Sequence, residues 1–459
     1  MMALFKNSKV LSFLFKPGAF QSPVAGSRVF QWLSEGIARL PLVGGQGKKT
    51  GAVSKWLAVL MLFACIFIPR ICIGDVSFTS IDLKVEDFLI LLLAFLVLKS
   101  SVKEIGSCGA TMVETAFLFF LIAAEISVFS GIAQKTIDKP FVSVLYLLKW
   151  AEYFLVFFVT SRLVRTERDL SFLIGGFFLF GLAIAGYGYW EHFFPLDRAV
   201  YPNYYRLFER GIFHGDANHI GGLLVLWIGF FTGVFLKSEK RYLSIIFLAV
   251  ILFAYFPLIW TYSRKSYFAS GGAMLVSLVF VREKKRLLLL ILLFILTGLL
   301  FPTRLSERLW DLPEAITSSD PFHSSWAGNW VMWKESLWNF KRFALFGCGL
   351  GSRHRLYYES QYVQILTEIG ILGVLAFLYL ILSLIREAVL DLRLKTWDRY
   401  EGIVLGWLIG FTGLLIHGAS CVSWTVSKIA IPFWFLAGIV FCFLKIAKSF
   451  PAESLDASN

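Results

Sequence analysis

Ser263, Arg264 and Lys265 follow an apolar run that closes near Tyr262. A single arginine at such a boundary is most simply a snorkelling anchor, its stem in lipid and its head in water. Two successive cations in one tight turn, on a face that the positive-inside bias depletes of them, suggest instead an anionic ligand. Arg210 poses the same question. It opens Arg210-Gly211-Ile212-Phe213-His214-Gly215-Asp216-Ala217-Asn218-His219, where a glycine and Asn218 suit a tight turn into a helix. His214 and His219 have no third partner at metal-ligand spacing, so no metal is expected. Lys149 and Glu152 stand three residues apart on one helical face inside an apolar run. Charges so placed are costly and face the protein interior. A structural ion pair is the simplest reading of them, and passage of a substrate or proton the sharper one. The six cysteines include no C-x-x-C and no metal-ligand spacing. Cys72, Cys348 and Cys421 fall near the same face as these cations, where apolar packing is the simpler use and a disulfide the alternative.

Long apolar runs set the positions of all these residues. The chain has 459 residues, of which 57% are hydrophobic, 17% aromatic and 16% charged. A soluble domain carries about 25% charged residues. A helix crosses a hydrocarbon core of about 30 Å with ~20 apolar residues, and lipid requires each crossing to satisfy its own backbone. The runs do not alternate as barrel strands would. Spans are expected near 56–73, 85–98, 112–133, 141–163, 170–190, 219–236, 243–262, 266–281, 286–301, 361–385, 402–421 and 429–447, the second and eighth extending into their flanks. The fold class is therefore all-α: a polytopic membrane protein with about twelve transmembrane helices.

The net charge of +13 does not point to nucleic acid, because basic residues cluster in alternate loops, as the positive-inside rule predicts. That pattern puts both termini in the cytoplasm. Residues 1–55 form a basic N-terminal segment, lying on anionic lipid or disordered. The segments 56–301 and 361–447 hold the helices, 302–360 is a long extracytoplasmic loop, and 448–459 is a cytoplasmic tail. The loop holds Trp310, Trp326, Trp330, Trp333 and Trp338, which argues against disorder. Its stretch Trp326–Phe343 is expected to be an amphipathic helix, on the membrane surface or over a cavity. The informative polar residues thus gather on the face away from the cytoplasm.

Three patterns in order resemble the O-antigen ligase and O-antigen polymerase family of bacterial membrane glycosyltransferases. They are Arg210-Gly211-x-Phe213 leading to Asn218, the Ser263-Arg264 turn, and Gln361-Tyr362-x-Gln364-x-Leu366-x-Glu368-x-Gly370-Ile371-Leu372-Gly373 after the long loop. The first is compressed relative to the family's spacing. In the third, Glu359 and Ser360 stand where ligases have a His-Asn pair, an arrangement similar to that of exopolysaccharide polymerases. The resemblance implies a GT-C-like architecture in the bacterial cytoplasmic membrane with an extracytoplasmic active site. It implies an undecaprenyl-pyrophosphate-linked glycan donor, a glycan or lipid A core acceptor, and no cofactor. Other polysaccharide-assembly proteins are candidate partners.

On that resemblance Arg264 and Arg210 would stabilise the leaving diphosphate, since guanidinium pairs bidentately with phosphate oxygens. Lys265, His214, Asn218, Ser263 and Gln361 would line the substrate site. Glu359 would take the proton of the acceptor hydroxyl; the alternatives are that it caps the helix beginning near Ser360, or pairs with Arg353 or Arg355. Polymerisation is the expected reaction, ligation to lipid A core the alternative. A flippase without chemistry is the competing class, which Lys149, Glu152 and the many glycines would suit.

Overall fold

The computed structural model describes residues 48–68, 71–76, 79–105, 112–194, 207–208, 217–299, 325–352, 359–394 and 400–449. The N-terminal basic segment up to residue 47, Arg210, His214, Trp310, Arg353, Arg355 and the tail beyond residue 449 lie outside them. The described elements are α1 (Lys48–Phe67), β1 (Ile71–Val76), β2 (Thr79–Leu83), α2 (Val85–Ile105), α3 (Met112–Ala133), α4 (Pro140–Thr160), α5 (Glu167–Phe193), α6 (Ala217–Lys237), α7 (Arg241–Trp260), α8 (Arg264–Ser277), α9 (Lys284–Leu299), α10 (Ser325–Arg342), α11 (Gln361–Leu394), α12 (Glu401–Gly418) and α13 (Ser427–Ser449). Every expected span overlaps one of these helices. Among the described residues seven helices, α3 to α7, α11 and α12, are long and apolar enough to cross a membrane by length and composition. Large apolar side chains cover the outside of the bundle, among them Phe88, Leu91 and Phe95 on α2 and Leu288, Leu292 and Ile295 on α9. So much exposed apolar surface is lipid-facing rather than water-facing. The chain is a polytopic membrane protein.

Nearly every residue of α6 is buried, which makes it the axis of the fold. It lies against α12 backbone to backbone. A Cβ on Gly233 would come within 2.1 Å of Gly406 N, and one on Gly229 within 2.6 Å of Gly410 Cα. Small residues four apart on both helices allow this approach, the way membrane helices associate without a hydrophobic driving force. Lys237, at the end of α6, pairs with Glu283 (2.8 Å) and Glu401 (2.9 Å), gathering the 237–241 and 277–284 connections and the start of α12 at one end of the bundle. The opposite end collects the β1–β2 hairpin and the turns after α3, α7, α10 and α12. Lys84 Nζ donates to Ser427 Oγ (2.7 Å) and Thr136 Oγ1 to the Cys348 carbonyl (2.5 Å) across that end.

Four details differ from or refine the expected spans. The first span stops at Phe67 rather than 73, because Pro69 cannot continue a helix and restricts the residue before it. The chain then forms a two-stranded antiparallel hairpin, Ile71 opposite Leu83 and Val76 opposite Thr79, a strand element added to the helical reading. The second span extends into its flank, to Ile105. The α-helical part of the eighth is only Arg264–Ser277, but tight turns carry it on: Val279 N–H donates to Val276 O and Phe280 N–H to Ser277 O, both at 3.1 Å. The amphipathic helix of the long loop is α10, with Trp330, Leu337 and Trp338 exposed and Asn329 and Ser336 buried.

The longest helix, α11, is interrupted at Gly370 (φ 74°, ψ −165°), a conformation favourable only to glycine. The loop after α10 fills the break. Cys348 N–H and Gly349 N–H donate to the carbonyls of Thr367 and Glu368 (both 2.9 Å), Ile371 N–H donates to Ala344 O (2.9 Å), and Ser127 Oγ donates to Glu368 O (2.6 Å). The freed backbone groups are thereby satisfied inside protein, the condition for irregular backbone at membrane depth. The Glu368-x-Gly370 spacing thus has a structural cause.

Candidate active site

The amino ends of α6, α8 and α11 meet at the end of the bundle that carries the hairpin. Tyr262 has φ +48°, uncommon for a bulky residue, and it turns the chain sharply from α7 into α8. Ser263 caps α8, accepting the Ser266 N–H (3.4 Å), and donates through Oγ to Asn218 Oδ1 (2.8 Å) at the start of α6. Arg264 and Lys265 are the first two residues of α8. Arg264 is 6% exposed, and the Lys265 ammonium forms an ion pair with the Glu359 carboxylate just ahead of α11. The positive ends of helix dipoles and two cations therefore share one corner, an arrangement suited to an anion.

Glu359 pairs with Lys265 and does not cap α11. Ser360 does so, accepting the Val363 N–H (3.5 Å). Gln361, an expected substrate ligand, is buried and occupied internally. Its Oε1 accepts the Trp424 N–H (2.8 Å) and its Nε2 donates to Gln364 Oε1 (3.3 Å), while Gln364 Nε2 donates to Glu368 Oε2 (3.2 Å). Gln361 braces the start of α11 against the turn between α12 and α13. Its carbonyl oxygen faces a backbone donor because that turn packs against it, a neighbour remote in sequence.

Arg210 lies outside the described residues, but both of its flanks are anchored to the α7–α8 turn. Leu207 N–H donates to the Trp260 carbonyl (3.3 Å), and Phe208 N–H donates to both carboxylate oxygens of buried Glu191 (3.2 and 3.1 Å). His192 stacks on Trp260 with ring centroids 3.8 Å apart. On the other flank, Asn218 is bonded to Ser263.

Lys149 and Glu152 do form an ion pair, Nζ to Oε2 at 2.8 Å, extended by Asp87 Oδ1 at 2.7 Å from the same ammonium. The triad ties α2 to α4. Burial pushes the Cys348 thiol up to about 11; the Glu368 carboxylate adds to the rise and the Arg342 guanidinium opposes it. Such a protonated, buried thiol is a packing group, and Cys348 and Cys421 are both free.

Sequence reasoning missed Asp87, Glu191 and His417. Asp87 is 62 residues from Lys149, so spacing gives no hint of their contact. Glu191 and His417 carried a usable signal: an ionisable residue in or beside an apolar span marks a partnered or functional position. His417 is buried, with Nδ1 2.7 Å from Ser423 Oγ and Nε2 3.5 Å from Ser266 Oγ.

Residues 247–378 match the family model described as O-antigen ligase. The matched segment runs from within α7 to within α11, and so contains Ser263, Arg264, Lys265, Glu359, Gln361 and Gly370. No curated protein matches the chain.

Proposed function

We propose, from the match of residues 247–378 to the family model described as O-antigen ligase, that the chain polymerises undecaprenyl-pyrophosphate-linked oligosaccharides at the outer face of the cytoplasmic membrane. The observation that carries this reading is the Ser263–Lys265 turn, where two cations and the amino end of α8 stand beside the Glu359 carboxylate. In the proposed reaction an acceptor hydroxyl oxygen attacks the anomeric carbon of the donor glycan. The bond from that carbon to the phosphate oxygen breaks, and the lipid diphosphate leaves with the electron pair. Its developing charge falls to Arg264, which binds phosphate oxygens bidentately and does not deprotonate, with the α8 N–H groups and Lys265 beside it. Arg210 joins Arg264 in this task, supported by the anchoring of both its flanks to the α7–α8 turn. The acceptor's proton passes to Glu359. Attack opposite the leaving group inverts the anomeric centre. Asn218 and Ser263 hold the turn against α6, and His214 assists at the diphosphate.

Glu359-Ser360 in place of a His-Asn pair favours polymerisation. The description of the matched model favours ligation to lipid A core as the second reading. Purified protein given lipid-linked repeat units alone decides between them. Longer lipid-linked chains are the expected result; product only on adding lipid A core means ligation, and no transfer to either acceptor overturns both. In the same assay Glu359→Gln is expected to slow turnover by about 10²-fold, the low end of general-base contributions, with donor binding retained. Full activity in that variant would remove Glu359 as the base.

A further inference from the structure

We propose that His417 is a positioning residue for the donor site, holding the amino end of α8 where Arg264 and Lys265 meet the diphosphate; this rests on the reading above. A hydrogen-bonded chain links four elements. Ser423, in the turn after α12, lies 2.7 Å from His417 Nδ1, and His417 Nε2 lies 3.5 Å from Ser266 Oγ. Ser266 Oγ donates to Ser263 Oγ (3.0 Å), and Ser263 Oγ donates to Asn218 Oδ1 (2.8 Å). With the Ser263 and Ser266 protons given toward α6, His417 must donate from Nε2 and accept at Nδ1, which fixes its tautomer. Four of the five side chains, all but Asn218, are buried, His417 and Ser266 completely.

The α6 backbone is cut to receive the chain. A Cβ on Gly221 would lie 2.2 Å from Ser266 Oγ, and one on Gly222 would lie 2.7 Å from His417 Cε1 and 3.0 Å from Nδ1. Two adjacent glycines on the axial helix thus make room for the serine hydroxyl and the imidazole ring. A histidine that only filled space would need no such sequence of donors ending on the cap of the helix that begins with Arg264. Ser263 and Ser266 set the first turn of α8, so displacing the ring shifts the cations that follow the cap.

The test is the affinity of the purified protein for undecaprenyl pyrophosphate, read beside its thermal unfolding. His417→Ala is expected to weaken binding by about tenfold, the upper end of one hydrogen bond's net contribution. His417→Gln should recover most of it, because the glutamine NH2 reaches the place of Nε2–H. Ser266→Ala and Gly222→Ala should each reproduce the His417→Ala defect, and the Ser266→Ala/His417→Ala double variant should be no worse than either alone, since residues in one network are not additive. Gly271→Ala, on α8 with nothing within 4 Å of its added Cβ, should bind as wild type does. Unchanged affinity in folded Ser266→Ala and Gly222→Ala, or a Gln variant as weak as the Ala variant, overturns the positioning role. Absence of binding by the wild type overturns the diphosphate reading itself, and this role with it.

Discussion

Arg264→Ala is expected to lower glycan transfer by about 10²–10³-fold, the effect of removing one preorganised donor from a developing anion. The size follows from the site. The guanidinium is nearly buried at the first residue of α8, where a charge-assisted bond to phosphate is worth more than the same bond in water. Lys265 stays beside it, but its ammonium is already engaged with Glu359 and lacks the planar fork that grips two phosphate oxygens at once. Arg264→Lys should therefore fall between wild type and Arg264→Ala. Initial rates with a lipid-linked donor check this, provided the variant elutes from size exclusion as the wild type does. Wild-type rates in Arg264→Ala would remove the arginine from the mechanism.

Gly406→Leu is expected to abolish the folded protein. A Cβ at this position would stand 2.0 Å from the Phe230 carbonyl oxygen, and the obstacle is the backbone of the axial helix rather than a side chain able to rotate. Overpacking a core costs about 1–3 kcal/mol when neighbours can adjust; separating α6 from α12 would also disturb Gly229 against Gly410 and Gly233 against Gly406, so the loss should exceed that range. Gly186→Leu is the matched control, since nothing lies within 4 Å of a Cβ on Gly186 in α5. The yield of monodisperse protein in detergent, compared between the two, reads the difference.

The helices were legible because lipid demands length and apolarity together, and both are local properties of the chain. Their ends were less so. Pro69 marks where α1 must stop, yet the apolar residues Ile71 to Ile73 beyond it look like more of the same span until strand pairing with 79–83 claims them. The turn of α8 was legible as Ser263-Arg264-Lys265, because two cations beside an apolar run depart from the bias that governs the other loops. Its partners were not: Lys265 meets Glu359 across 94 residues, and Ser263 meets Asn218 across 45. Gln361, which the resemblance puts in the substrate site, accepts the Trp424 N–H in the fold, and a side chain that meets a buried backbone donor looks the same in sequence as one that faces a substrate. The glycines of α6 and α12 read only as an abundance until the two helices are laid together, when their four-residue spacing becomes a contact surface. The Lys149–Glu152 pair was legible from its helical spacing, whereas Asp87, which completes it, required the fold.

A structure determined with undecaprenyl pyrophosphate bound would show whether the amino end of α8 receives the diphosphate of the donor. Diphosphate oxygens are expected within about 3 Å of the Arg264 guanidinium, the distance of a charge-assisted hydrogen bond, with Glu359 on the side from which an acceptor approaches. A diphosphate seated at the Lys237 end of the bundle, or held without Arg264, would contradict it.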